Sequence, residues 1–596
     1  MKFDFLGLKT LTVLNRTMDF LREKGIEIDL ETLPLNDPKT YRLIARGDTA
    51  GVFQLEGSGM RQSLRALKPD KFEDIIAMVA LYRPGPMDNI PSYINRKHGI
   101  EKVDYLHEWL EPVLEETHGV IIYQEQVMEI AKILAGYSLG EADLLRRAMG
   151  KKIQAEMDAQ RKRFVEGAKE KGVPEHKASH IFDLVNKFAG YGFNKSHAAA
   201  YALVAYQTAY FKANYPVEFM AATMSLERDN TDKLNAHVKE IRAMKIPLYP
   251  PDINASEANF SVEGEGGAKG IRYALAAVKN VGAKAMETIV EERKANGPYK
   301  NLHEVMERIE ITAVNKRQME NLAYAGAFDS LNPNRAQTFA ALDMLLKHAH
   351  ACHEARTSNQ AHLFAGEEEA PVPRMPLPEV DPWEPAQALK FERDAIGFYF
   401  TSHPLEAYGD LLAKRHVRES AEFMTNPSLV GQTVKGAGIV EDLQERKAAK
   451  TGRPFAFLAL SDASGSYEAL VFGEVLDHLR AAVDEDLPLL LDLSIDKAEG
   501  DDTPRLIVRG FELFDPERLA RNAELTISLA GEEAVETIKG LLEKHKGGRG
   551  VVTVSILARE EEREVQIRLP ERVRITPALQ GAIKSFPGVS DARVTY

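Results

Sequence analysis

Cysteine is almost absent: the 596 residues contain one, Cys352. That excludes an internal disulfide framework and fits a reducing, cytoplasmic setting. Long hydrophobic runs are missing too. None reaches the roughly 18 residues of a membrane span, so no membrane partner is expected. Residues 1–12 are too short and too mixed for a signal peptide. Positive charge is in deficit, with 76 Lys and Arg against 89 Asp and Glu and a net charge of −13. This argues against uniform coating by nucleic acid but leaves room for a local basic groove. The Asp-x-Asp spacing occurs only once. Asp484-Glu485-Asp486 has the Asp-x-Asp spacing but sits in an acidic turn without a flanking strand, and is rejected as catalytic. What is present is a 44% hydrophobic content, enough for sizeable cores, over a length that suits three to five domains.

The most informative stretch is Phe188-Ala-Gly-Tyr-Gly-Phe-Asn-Lys-Ser-His197 with the helix expected after it. Gly190 and Gly192 permit an unusual backbone path, and Asn194 or Ser196 can cap that helix. Lys195 and His197 then sit at a helix N-terminus, where free amides and the macrodipole favour an anion. Together they make a plausible triphosphate grip. Tyr201 lies one turn after His197 on the same face, placed to pack on a base or sugar. Alanines 198, 199, 200, 202 and 205 keep the helix thin. The plainer alternative is a glycine turn before an alanine-rich core helix.

From Asp37 to about Ser225 the pattern is mostly helical. Leu81-Tyr82-Arg83-Pro84-Gly85-Pro86 is a rigid loop presenting Arg83. Between Arg146 and Lys187 there are 11 Lys or Arg against 6 Asp or Glu. Because this excess adjoins the Gly-rich stretch, a phosphate-facing surface is a better reading than a solvated helix face. Ala277-Val278-Lys279-Asn280-Val281-Gly282 has the form of a helix-hairpin-helix turn, whose amides can cradle a DNA phosphate. Lys279, Asn280, Gly282 and Lys284 are its candidate contacts. Lys316 and Arg317 belong to a second, weaker copy over 315–328; the alternative is two small-helix packing motifs.

Residues 337–353 read as one helix ending in His348-Ala-His-Ala-Cys-His353. His348 and Cys352 share one face and His350 and His353 another, and zinc needs four ligands converging on one point, so a metal is not expected there. A Glu- and Pro-rich linker follows. Within it, Gln360, Leu363 and Phe364 resemble a peptide that plugs a pocket on a ring-shaped sliding clamp. Five strands are expected over 433–441, 455–462, 466–472, 487–497 and 505–514. They suggest an OB-fold barrel, a platform for single-stranded nucleic acid, with Lys435, Arg446, Lys447, Lys450 and Arg453 along it. Residues 524–596 read β-α-β-β-α-β, a small α+β docking module. The expected fold class is therefore multidomain: a mainly α-helical region that includes the helix-hairpin-helix elements, then a β-barrel OB-fold and a small α+β C-terminal domain.

These pieces in this order resemble the bacterial replicative polymerase III alpha subunits, the C-family DNA polymerases. The most specific strings are Lys2-Phe-Asp-Phe-Leu-Gly7, Leu81-Tyr-Arg-Pro-Gly-Pro86, Ile122-Tyr-Gln-Glu-Gln126, Leu145-Arg-Arg-Ala-Met-Gly-Lys-Lys152 and Ala189-Gly-Tyr-Gly-Phe-Asn-Lys-Ser-His197. The resemblance implies a palm remnant over 1–12, fingers over 13–251 and tandem helix-hairpin-helix elements over 252–353. It further implies a linker with the clamp peptide over 354–385 and a connecting segment over 386–428. An OB-fold over 429–515 and a docking domain over 516–596 complete the expected division.

The same resemblance implies roles. Asp4 falls on the third metal-binding aspartate of the palm, and Lys2 on the palm lysine near the incoming nucleotide. Arg83, Arg146, Arg147, Lys151, Lys195, His197 and Tyr201 would face the triphosphate. Implied partners are primed DNA template, deoxynucleoside triphosphates, the sliding clamp (beta subunit), the clamp-loader tau subunit and a proofreading subunit. Mg²⁺ is the implied cofactor, at a site incomplete in this chain. His362 replaces the acidic residue common in the clamp peptide. Two-metal phosphoryl transfer needs several carboxylates. The family's Asp-x-Asp pair lies upstream of Asp4, where this sequence has none. The chain is thus expected to be the C-terminal half of such a DNA-directed DNA polymerase, probed best with its missing palm. The alternative is a non-catalytic DNA- and clamp-binding scaffold. A nucleotide-using repair enzyme fits less well, for want of a complete active site.

Overall fold

The computed structural model describes residues 7–151, 154–189, 192–264, 268–357, 373–448, 452–483, 487–497, 504–515, 523–529, 534–558, 563–584 and 586–595. The chain divides into two compact units, residues 1–333 with 341–377, and residues 334–340 with 378–596.

The first unit is helical up to Ala243. Its organising element is the helix Lys195–Asn214, called here the anchor helix. Ala198, Ala202, Ala205 and Ala209 recur at helical spacing and are fully buried. This stripe of small residues lets the helices Phe72–Leu81 and Pro38–Ala45 pack close against it. Tyr206 is buried in the same core, and its hydroxyl donates to the Pro34 carbonyl at 2.8 Å while accepting from the Asp37 amide at 3.0 Å. A second apolar cluster, with Ile130, Leu134, Leu145, Phe164 and Phe182, holds together the basic region that includes the helices Gln124–Ala135 and Leu139–Lys151. Buried charge is paired, as burial requires. Glu218, fully buried, accepts from Lys24 at 3.0 Å and Lys269 at 2.5 Å.

Beyond the helices, short strands β1 (Leu248–Tyr249), β2 (Ser261–Glu263) and β3 (Gly270–Arg272) form a sheet in the order β1-β3-β2. The helices Ala283–Asn296, Leu302–Arg308 and Lys316–Tyr324 follow. The long helix expected over 337–353 runs Arg335–Thr357.

In the second unit, β4 (Thr433–Lys447), β5 (Pro454–Asp462), β6 (Gly465–Phe472), β7 (Leu489–Asp496) and β8 (Arg505–Leu513) close into a barrel, β4-β5-β6-β8-β7. Alternation along β5 and β7 turns Ala456, Leu458, Leu460, Leu489, Leu491, Leu493 and Ile495 inward. The parallel pairing Ala469–Leu506 and Leu470–Ile507 between β6 and β8 belongs to the closure. Gly436 is buried on β4, and a Cβ there would come within 2.8 Å of Leu493 Cδ1. All five expected strands are found. Next, β9 (Glu524–Leu529), the helix Val535–Lys544, β10 (Lys546–Ala558), β11 (Arg563–Arg568), the helix Pro577–Lys584 and β12 (Val589–Thr595) form the expected β-α-β-β-α-β domain. Its sheet order is β11-β10-β9-β12.

His403 ties the segment before the barrel to β5. Its Nε2 lies 3.2 Å from Ser461 Oγ, and its Nδ1 accepts from the Leu405 amide at 3.2 Å. Burial pushes its pKa from the usual 6.5 down to about 4, against the pull of Asp462. Between those values the unfolded chain binds a proton that the folded chain refuses. The contribution is therefore complete above pH 6.5 and lost as pH falls towards 4, about 3 kcal/mol in all. Urea midpoints of the second unit at pH 7, 5.5 and 4.5 should fall more steeply for the wild type than for His403→Gln; equal slopes would refute the assignment.

Candidate nucleotide site and nucleic-acid interface

Two loops meet at the start of the anchor helix. The Phe193 amide donates to the Ile122 carbonyl at 3.2 Å, and the Gln124 amide donates to the Phe193 carbonyl at 2.9 Å. This short parallel pairing gives each residue of Ile122–Gln126 a task. Gln126 accepts from the Ile122 and Tyr123 amides at 2.8 and 3.0 Å, closing the N-terminus of the Gln124–Ala135 helix. Tyr123 is buried. Gln124 donates through Nε2 to the Gly192 carbonyl at 3.0 Å and accepts from Arg146 at 3.2 Å. Glu125 accepts from the Lys195 amide at 3.0 Å and from Asn194 Nδ2 at 2.8 Å.

Around this joint stand the expected basic residues. Asn194 caps the anchor helix by accepting from the His197 amide at 2.8 Å. The Arg83 guanidinium lies 4.1 Å from the centroid of the Phe193 ring, and burial lowers its pKa. Arg146 and Arg147 share Asp143, at 2.8 and 2.7 Å, and the Arg146 hydrogen bond is the main reason that carboxylate is held below its ordinary value. The Lys195 ammonium lies 2.8 Å from Glu116 Oε2. His197 stacks on Tyr201 at 4.5 Å between ring centroids, and Tyr201 meets Phe53 at 5.4 Å. The Tyr201 ring thus packs within the protein, against His197 and Phe53. Lys151 ends its helix, with its side chain outside the description; Lys2 and Asp4 lie outside the described residues.

Sequence reasoning missed Asp143, Glu116 and Glu125. Asp143 had a signal, since it stands three and four residues before the two arginines. Glu116 and Glu125 reach the anchor helix across 79 and 70 residues, which no local pattern encodes. The implied Mg²⁺ would need a set of carboxylates, and among the described residues no group of three His, Cys, Asp or Glu could hold a metal. Asp4, on which the implied site rests, lies outside the described residues, and no step is routed through the ion. Asp484 and Asp486 lie outside the described residues. His348 pairs with Glu307 at 3.0 Å and lies 3.6 Å from Cys352 Sγ. Arg374 also holds Glu307, whose pKa falls to about 2, chiefly through that hydrogen bond.

Two further surfaces suit nucleic acid. At the hairpin turn, Asn280 adopts φ +63°, Gly282 caps the helix Ala283–Asn296, and the Val281 amide closes on the Val278 carbonyl at 3.2 Å. The turn lies against the Lys316–Tyr324 helix, with Asn280 Nδ2 3.5 Å from Asn321 Oδ1. A Cβ on Gly282 would meet Gln318 Nε2 at 3.2 Å. The structure therefore brings the two expected DNA-contact groups together. Lys279, Asn280, Gly282, Lys284, Lys316 and Arg317 are all exposed, although Lys316 is engaged by Asp343 at 2.7 Å. The second copy expected over 315–328 is one helix with the turn after it, and the helix preceding it is Leu302–Arg308.

On the barrel, Phe472 is 42% exposed and stacks on Phe455 at 5.9 Å. Phe455 meets Phe457 at 5.5 Å, and Arg446 covers Phe457 at 5.0 Å. Aromatic and guanidinium faces thus run in a strip across β4, β5 and β6, beside the exposed Lys447 and Arg453. Lys435 is exposed on β4, and Lys450 lies outside the described residues. Gln360, Leu363 and Phe364 do as well.

Residues 10–172 match the family model for the bacterial DNA polymerase III alpha subunit finger domain, and residues 245–338 match the helix-hairpin-helix motif. The DNA polymerase III subunit alpha of Caulobacter vibrioides is 47% identical over 99% of this chain and 51% of its own length. The subunit from Thermus aquaticus is 45% identical over 92% of this chain and 44% of its own length. That from Neisseria meningitidis is 38% identical over 100% of this chain and 51% of its own length. The chain spans about half the length of the curated relatives it matches.

Proposed function

We propose that this chain, which belongs with the bacterial DNA polymerase III alpha subunits, carries the nucleotide-facing and DNA-gripping surfaces of a DNA-directed DNA polymerase. In that reaction a primer 3′-oxygen attacks the α-phosphorus of a deoxynucleoside triphosphate and pyrophosphate leaves. Arg83, Arg146, Lys195 and His197 would neutralise the charge that gathers on the leaving pyrophosphate. The observation that carries the reading is their convergence on one joint, between Ile122–Gln124 and Gly192–Asn194, inside the stretch matched to the finger domain and just after it. The hairpin amides would grip duplex phosphates. The barrel strip would stack the bases of a single strand.

Further partners follow from the kinship. Gln360, Leu363 and Phe364 would bind the sliding clamp. The C-terminal domain would dock the clamp-loader tau subunit, which accords with the exposure of Ile556, Val565 and Ile567. A proofreading subunit would join the full complex. Asp4 would be one carboxylate of the palm, and the setting is cytoplasmic; among the described residues no helix is long and apolar enough to cross a membrane.

A second reading is a DNA- and clamp-binding scaffold without chemistry of its own, supported by the exposed hairpin residues Lys279, Asn280 and Lys284 and by the aromatic strip on the barrel. Primer extension by this chain with Mg²⁺ and all four deoxynucleotides, with DNA binding followed in the same tubes, separates the two. Extension lost on Asp4→Ala supports the polymerase; salt-sensitive binding without extension supports the scaffold. In either case Phe455→Ala with Phe472→Ala should weaken binding to oligo(dT) by about 1–3 kcal/mol per stacked base. Unchanged oligo(dT) affinity would remove the strip from the interface.

A further inference from the structure

The groups best suited to hold a triphosphate are already engaged by carboxylates. The Lys195 ammonium is paired with Glu116, and the first amide of the anchor helix is given to Glu125. We propose that Glu116 and Glu125 form a displaceable anionic latch, which an incoming triphosphate must evict to reach Lys195 and the helix N-terminus. The proposal rests on the reading of this surface as triphosphate-facing.

Several observations point the same way. The Lys195 and Glu116 side chains are 39% and 35% exposed, so the pair is open to exchange with a solvent anion. A pair this exposed contributes little, and a single negative charge competes poorly with a triphosphate. Beneath it, the Tyr123 ring lies 5.5 Å from the Lys195 ammonium. Tyr123 is 1% exposed, and its hydroxyl finds no hydrogen-bond partner among the described residues. Glu116 Oε1 is likewise buried without a partner among them. Burial, then Glu116 and Glu125, push the Tyr123 hydroxyl pKa well up. The Tyr123 hydroxyl is a donor without an acceptor, which a phosphate oxygen would supply, and Glu116, 35% exposed, can turn to water once released. The latch would keep Lys195 extended over Tyr123, in reach of the phosphate path. It would also make small anions poor occupants.

Glutamine substitutions test this, since the side-chain amide oxygen of Glu125→Gln can still accept from the Lys195 amide. Chains of residues 1–596 carrying Glu116→Gln, Glu125→Gln, both, or Lys195→Ala would be titrated with dATP, inorganic tripolyphosphate and deoxyadenosine, by displacement of a fluorescent deoxynucleotide. Each glutamine should tighten dATP and tripolyphosphate about two- to fivefold, the scale of an exposed ion pair, and leave deoxyadenosine unchanged. Lys195→Ala should weaken both phosphates. Unchanged or weaker phosphate binding in the glutamine variants, with Lys195→Ala still weakening it, overturns the latch and leaves the surface reading intact. Failure of every chain to bind either phosphate overturns the surface reading and the latch with it. Should Glu125→Gln fail to fold, Glu116→Gln carries the test alone.

Discussion

Replacing Glu240 by alanine is expected to destabilise the first unit by about 3–5 kcal/mol, the cost of leaving a buried charge without its partner. The charge is Lys212, near the C-terminal end of the anchor helix and only 1% exposed. Its ammonium lies 2.5 Å from Glu240 Oε1 and donates to the Ala50 carbonyl at 2.8 Å. Burial lowers the Lys212 pKa, and Glu240 is the largest opposing influence. Without Glu240 the ammonium must shed its proton or draw in water. Lys212→Met combined with Glu240→Leu should recover most of the loss, because it removes both charges and keeps the volume. The effect reaches the site as well. The Ala50 contact holds the loop that carries Phe53, which packs on Tyr201. Urea unfolding followed by circular dichroism would read it, and a loss under about 1 kcal/mol for Glu240→Ala would contradict the charge-burial argument.

Lys195→Ala and Arg146→Ala, placed in a polymerase of full family length, should each lower kcat/KM for nucleotide incorporation by about 10²–10³, the usual scale for removing a group that stabilises transition-state charge. Primed-DNA affinity should stay near wild type. Arg146→Lys should not rescue, because Arg146 uses three nitrogens: Nε and one terminal nitrogen on Asp143, the other on Gln124. Single-turnover incorporation with DNA binding as the control decides it. Unchanged kinetics in both variants would sink the fingers assignment.

Much of the fold is legible because its rules are local. The alanine stripe, a cap at Asn194 or Ser196, the five barrel strands and the terminal β-α-β-β-α-β order depend on periods of two and 3.6 residues and on contacts three or four residues apart. The basic character of the candidate site is equally legible, since a run of charge or a lysine after a cap is written in one window. The acidic partners of that site are not. Glu116 and Glu125 are ordinary glutamates in sequence, and only the pairing of Ile122–Gln124 with Gly192–Asn194 brings them to Lys195. The aromatic strip escaped for a similar reason. Phe455 and Phe457 share one face of β5 by alternation, but Phe472 joins them only through the β5–β6 register that sets it opposite Phe455.

The sequence by itself determined the element types, the caps, the five-strand barrel pattern and which basic residues were candidates, because backbone sterics and hydrophobic periodicity act over a few residues. Tertiary structure alone decided that Arg146 is braced by Gln124, that Lys195 is met by carboxylates and that Lys212 is buried on Glu240. Those are Coulombic and hydrogen-bonded contacts a few ångströms long in space, between residues 22 to 79 apart in the chain.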